Sequence, residues 1–256
     1  MTTIVSCYYK LDKNKHSDNQ WKHWIENFFM IQSKKIIFTN KQTYDIYFKT
    51  VNNSNTYFYI LEFQDFYTYK YLETFEKHFE FDHEKIIHNI YLYLIWNEKS
   101  NFLKKSIELN YFNTNFFVYC DIGYFRVRNL MSIYRNWPKT KVLSSIGDKV
   151  TLLEVNRFDM NEFEFEDMPK SFQYVNRIGG GVIAGSKKVL LKWTQLYYEM
   201  LEKFIEINRF IGKDQSIMAS VYLKNKKIIN LVKHRPTNLC QNKWFYLAPY
   251  LNENVL

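Results

Sequence analysis

Apolar residues fall along the chain in two rhythms, short runs of strand length and longer stretches in which they return every three or four positions. TIVSCYY (3–9) reads as a first strand, followed by the polar loop LDKNKHSDN (11–19). A helix starts near Ser17 or Asn19, because Trp21, Trp24, Ile25 and Phe28 recur at helical spacing behind a capping residue. KIIFT (35–39) and YFYILEF (57–63) are further strands, separated by a surface loop at KTVNNSNT (49–56), and a helix runs through YKYLETFEKHF (69–79). From Asp82 to Leu109 the pattern is again helical, with Trp96, Phe102, Leu103 and Ile107 near one face. FFVYC (116–120) is a continuous apolar run, as expected of a strand covered on both faces in a mostly parallel sheet.

The stretch from Val127 to Gln173 is less regular and rich in acids around NEFEFEDMP (161–169). RIGGGVIAG (177–185) holds four of the seven glycines and is followed by a periodic helix with Val189, Trp193, Leu196, Met200, Phe204 and Ile207 on one face. GKDQSIMASVYLKN (212–225) opens another helix, and IINLVKH (228–234) closes with a strand. Strands alternating with long helices predict an α/β layered fold. No repeat or linker interrupts it, so residues 1–256 read as a single domain.

Composition removes some function classes. At 46% hydrophobic and 19% aromatic, the chain has too much apolar material to be disordered. The net charge of +9 suits an anionic partner such as a nucleotide, a nucleic acid or a phospholipid head group. The basic groups SKK, FLKK and LKNKK are short and lie at helix edges, where they read as solvated faces. Cys7, Cys120 and Cys240 form no CxxC pair, which argues against a disulfide framework or a zinc ribbon and makes a reducing, cytoplasmic setting the default. MTTIVSCYYKLD lacks the pattern of a signal peptide, and IYLYLIW (90–96) is too short to span a membrane.

Four places carry candidate chemistry. Asp121 falls at the carboxyl end of the FFVYC strand, where ligands bind in open α/β sheets, and a carboxylate there can hold a cation that holds a diphosphate; it can equally cap the next segment or pair with Arg126 or Arg128. Gly179, Gly180 and Gly181 read as a tight turn or bulge, or as backbone that approaches a ligand, and match neither a dinucleotide fingerprint nor a P-loop. Asp214 precedes an apolar helix and reads first as its N-cap. His234 ends the last strand and is a candidate metal ligand. No GxSxG occurs, and Cys120 lies inside an apolar run where a thiol is inert.

Taken in order, IVSCYYK, WNEKSNFLKKSIELNYFNTNFFVYCDIGYFR, IGGGVIAG and RFIGKDQSIMASVYLKN resemble the HtrL/YibB-type family, whose members look like nucleotide-sugar-dependent glycosyltransferases of the GT-A fold. The resemblance implies a GT-A-like Rossmann-type fold with a nucleotide-binding half at about 1–126 and an acceptor half at about 127–256. It implies transfer of a sugar from a nucleoside diphosphate sugar, a UDP-sugar first, to a hydroxyl of a glycan or glycoconjugate. By analogy Tyr8, Tyr9 and Lys10 sit at the base and ribose, Lys99 reaches the motif strand, and DIG supplies Asp121 and Gly123 where that fold commonly carries DxD. With the second carboxylate missing, a Mn²⁺ or Mg²⁺ ion would need Asp121 together with another ligand such as His234, or basic residues such as Arg126 would hold the diphosphate instead. The glycines would lie against the transferred sugar, and Asp214, assisted by Gln215, would act as base in an inverting enzyme or stabilise an oxocarbenium-like state in a retaining one. The contrasting expectations are a noncatalytic, basic nucleic-acid-binding protein and a scaffold that binds nucleotide sugar without turnover.

Overall fold

The computed structural model describes residues 1–12, 15–51, 53–163, 170–236, 238 and 240–252. Its centre is a seven-stranded sheet. Along the chain run β1 (Thr2–Cys7), α1 (Asp18–Phe29), β2 (Lys34–Thr39), α2 (Lys41–Tyr47), β3 (Thr56–Ile60), α3 (Leu72–Phe79), α4 (Ile90–Leu109) and β4 (Phe116–Cys120). Then follow α5 (Thr140–Ile146), β5 (Val150–Glu154), β6 (Ile178–Ser186), α6 (Lys187–Glu206), α7 (Asp214–Lys224), β7 (Ile229–Lys233) and α8 (Leu247–Tyr250).

The strand order is β3-β2-β1-β4-β6-β5-β7. All neighbours are parallel except β6, which runs antiparallel to both β4 and β5. The first three strands build outward in one direction from β1 and the later ones in the other, so the order reverses between β1 and β4. In open α/β sheets that reversal opens a crevice beyond the carboxyl ends of the two strands.

The strand period of two assigns each side chain to a layer. Val5, Cys7, Tyr9, Phe117 and Tyr119 pack with α4, α6 and α7 residues such as Phe102, Trp193 and Ile217. Ile4, Tyr8, Val118 and Cys120 face the other layer, with Ile25 and Phe28 of α1, Trp137 and Leu247. Asp121, two positions beyond Tyr119, therefore leaves the sheet on the side of α4.

Several expectations shift. Ser17 does cap α1, in a reciprocal capping box with Gln20. The helix expected from Asp82 begins only at Ile90, capped by Asn89, whose Oδ1 accepts from Leu92 N at 2.8 Å. Residues 82–88 instead fold back, and Asp82 Oδ1 accepts from Glu84 N at 2.8 Å. The irregular middle contains the fully buried strand β5, and residues 164–169 of its acidic stretch lie outside the described residues. RIGGGVIAG is not a tight turn: its glycines belong to the nine-residue strand β6, and the bulge alternative holds, because the register with β5 shifts there, from Thr151 opposite Ala184 to Leu153 opposite Gly179. Among the described residues, no helix is long and apolar enough to cross a membrane.

Candidate functional site

Helix α4 carries the segment WNEKSN, whose polar residues from Asn97 to Asn101 are buried in the interior. Each has work there. Asn97 donates to the carbonyls of Tyr93 and Ile211 and accepts from Tyr197 Oη, tying α4 to the loop before α7. Glu98 accepts from the backbone N–H groups of Tyr67 and Thr68, each at 3.0 Å. Lys99 points toward the strand ends, with 4% of its surface accessible.

Lys99 Nζ donates to the Gly180 carbonyl at 2.9 Å and lies 3.0 Å from Asp214 Oδ2 and 3.5 Å from Asp121 Oδ1. One ammonium thus joins the end of β4, the middle of β6 and the start of α7. Burial works against its charge, but Asp121 and Asp214 outweigh burial and hold its pKa above the ordinary lysine value. Burial pushes the Asp214 carboxyl up, opposed by Lys99. Tyr119 Oη donates to Asp121 Oδ1 at 2.9 Å, and Asp121 N donates to the Gly181 carbonyl at 2.9 Å, which fixes the strand end. Asp121 Oδ2 has no protein hydrogen bond among the described residues, and the side chain is 45% accessible.

The glycines supply space, not unusual dihedrals. A Cβ on Gly180 would stand 2.7 Å from Asp214 Oδ2, and one on Gly181 would meet the Tyr124 ring at 3.0 Å. Gly179 similarly leaves room for Val155, and Gly123 lets the Trp21 ring approach to where a Cβ would be 2.8 Å away. Gly180→Ala is therefore expected to displace Asp214 or β6 and to cost about 1–3 kcal/mol, the usual range for overpacking. Calorimetric unfolding checks this; an unchanged midpoint would show that the strand has slack.

Above the triad lies a groove. One end, beyond β1 and β4, is walled by Tyr8, Tyr9, Trp21, Trp96 and Phe245. The other end holds Gly180, Gly181, Asp214, Gln215, Asn242 and Trp244. Trp96, Lys99, Asp121, Tyr124, Arg126 and Phe245 line both. The Arg126 guanidinium sits over the Trp24 ring at 4.2 Å and the Phe245 ring at 4.9 Å, while its Nε donates to the Gly123 carbonyl at 3.2 Å. Its Nη atoms have no protein hydrogen-bond partner among the described residues, so a positioned fork of donors faces the groove.

The structure thus gathers Tyr8, Tyr9, Lys99, Asp121, Gly123, Arg126, Gly180, Gly181, Asp214 and Gln215 around one groove. Gln215 Nε2 is already engaged by the Ile178 carbonyl at 3.1 Å. Lys10 and Gly179 do not line it: the Lys10 ammonium pairs with Asp18 at 2.9 Å on the surface, and Gly179 faces Val155 and Leu153 in the layer of α1. Asp214 is the first residue of α7, not its N-cap, which is Lys213. Its carboxylate is turned to Lys99, and at the helix start it also meets the favourable end of the helix dipole.

The pairing of Asp121 with His234 does not form. Strands β6 and β5 stand between β4 and β7, which separates the strand ends by about 14 Å at ~4.8 Å per strand. His234 packs edge-on against Tyr246, with ring centroids 5.2 Å apart. A different group, Asp82, Glu84 and His88, places its ligating atoms within 4.8 Å of one another and could hold a metal ion. Each of the three residues also has a protein partner: Asp82 Oδ2 takes Tyr93 Oη and His88 Nδ1, and Glu84 Oε2 takes Lys213 Nζ at 2.5 Å.

Sequence periodicity had no means of finding the groove's aromatic walls, since Trp96 and Phe245 lie far apart in the chain. Tyr119 had a usable signal, because it shares the strand face of Asp121 two positions on.

The family described as "Bacterial protein of unknown function (HtrL_YibB)" matches residues 1–248. The chain belongs to the HtrL_YibB family. No curated protein matches it. The match takes in every element of the groove, from Tyr8 to Phe245, so the Lys99 triad lies within the family's own extent.

Proposed function

We propose that this HtrL_YibB protein is a glycosyltransferase that moves a sugar from a nucleoside diphosphate sugar, a UDP-sugar first, to a hydroxyl acceptor. The observation that carries the reading is the buried Lys99, which holds Asp121 and Asp214 at the floor of an aromatic-walled groove. That groove lies at the reversal of strand order between β1 and β4, where nucleotides bind in open α/β sheets. A sheet with one reversed strand beside the acidic strand end also supports a GT-A-like architecture.

In this reading the base and ribose lie among Tyr8, Tyr9, Trp21 and Trp96. Asp121 Oδ2 accepts a hydrogen bond from a ribose or sugar hydroxyl. The acceptor oxygen attacks the anomeric carbon while its proton passes to Asp214. The bond from that carbon to the phosphate oxygen breaks, and the electron pair leaves with the nucleoside diphosphate. Burial raises the Asp214 pKa, the direction a general base requires. The negative charge that grows on the diphosphate is met by the free donors of Arg126, with Lys99 fixed below.

The donor set at Asp121 does not fit a divalent cation held by the protein. Gly123 stands where a second carboxylate would be, Asp214 is engaged by Lys99, and the same ammonium lies 3.5 Å from Asp121 Oδ1, where it repels a cation. Arg126 takes that role here. The test is to incubate the protein with UDP-, GDP- and dTDP-sugars and a mixture of glycan acceptors, with EDTA or Mn²⁺, and to measure released nucleoside diphosphate. Release with one donor class, undiminished by EDTA, is expected. Release that EDTA abolishes would restore a cation to the site, and no release with any donor would remove the enzymatic reading.

A further inference from the structure

A second hollow opens on the far side of Arg126. Phe125, Val127, Leu130, Met131, Tyr134 and Cys240 line it, and their exposed surface is mostly carbon. Its volume is ≈ 290 Å³, about twice that of a ~150 Å³ apolar cavity that admits benzene. Val127 forms its rim and is 56% exposed. The hollow adjoins the polar groove and shares a wall with it: Tyr124, Arg126, Asn242 and Phe245 line both. Arg126 and Phe245 make the partition. On one side of it are the carboxylates, and on the other a surface that water wets at a cost.

A sugar ring could stack on Phe125 or Tyr134, but the aliphatic lining of Val127, Leu130 and Met131 offers its hydroxyls no hydrogen bond. A ligand that carries a hydroxyl next to hydrocarbon would use both sides at once, with the polar end over Asp214 and the apolar end beyond Arg126. We infer that the acceptor is an amphiphile whose hydrocarbon group occupies this hollow. The inference rests on the glycosyltransferase reading for the word acceptor, but the hollow binds hydrocarbon whether or not that reading holds.

The probe is a series of alkyl β-glucosides, from hexyl to decyl, titrated calorimetrically below their micelle concentrations, with UDP binding measured in parallel. Each added methylene is expected to tighten binding about fourfold until the hollow is filled. Leu130→Gln, at a partly exposed position outside the polar groove, is expected to flatten that dependence and leave UDP binding unchanged. Affinity independent of chain length would overturn the inference, as would a dependence that survives Leu130→Gln. Dimers that alkyl glucosides fail to disperse, seen by size-exclusion chromatography, would assign the hollow to a second copy of the chain and overturn it as well. A chain-length dependence without any UDP binding would uphold the hollow while removing the glycosyltransferase reading.

Discussion

Lys99→Met is expected to abolish sugar transfer and to destabilise the fold by about 3–5 kcal/mol, the cost of stripping the partner from a buried charge. Asp214 is 4% accessible and has Lys99 as its ion-pair partner. Without the ammonium it must either stay charged in a poorly solvated site or take up a proton, and a protonated Asp214 is no longer a base. The Gly180 carbonyl also loses the donor that holds β6 against α4. Urea unfolding gives the stability change and the release of nucleoside diphosphate gives the activity. A variant with wild-type stability would show that the triad is more hydrated than its burial indicates. Lys99→Arg keeps the charge but not the compact ammonium, and serves as the control if the methionine variant does not fold.

Asp121→Ala separates function from folding. Its side chain is 45% accessible and Lys99 keeps its closer partner, so the main cost is the acceptor lost by the buried Tyr119 hydroxyl, about 1–3 kcal/mol. Turnover should nonetheless fall by about 10²-fold or more, the effect of losing one positioned electrostatic contact in an active site. The pair of readouts is decisive together. A folded Asp121→Ala variant with undiminished turnover would take Asp121 out of the site and leave it the end of a strand.

How much of this was legible in the chain depends on the range of the interaction. The strand FFVYC and the cap at Ser17 are local, written in a few adjacent residues, and both appear where the pattern puts them. The start of α4 misled because Ile86 and Ile87 continue the helical rhythm, yet Ile86 is 82% exposed and the backbone there folds around Asp82. The triple glycine was legible in part, as a bulge but not as a tight turn. Glycine serves either for dihedral freedom or for space, and only the three-dimensional neighbours, Asp214 and Tyr124, reveal that space is the reason here. Asp214 was legible as an acid at a helix start, but a single-residue difference in that start turns a cap into a buried ion-pair partner.

His234 shows the limit most clearly. That it ends a strand is local information, and correct. Which strand lies beside it is set by sheet order, and the insertion of β6 and β5 between β4 and β7 separates it from Asp121. The reverse holds for Lys99 and Asp214, which are 115 positions apart in sequence and 3.0 Å apart in space. Periodicity could not join them. The resemblance did, since it named both residues for the same site.

The measurement that tests the central claim most directly is a thermal-unfolding comparison of wild type and Asp121→Ala with UDP, GDP and dTDP in EDTA. Ligand at ~100 times its dissociation constant stabilises a fold by about 2.7 kcal/mol, a resolvable rise in midpoint. One nucleoside diphosphate should raise the wild-type midpoint without added metal, and the rise should be smaller in Asp121→Ala. No rise with any of them, in protein that unfolds cooperatively, would contradict a nucleotide site between β1 and β4.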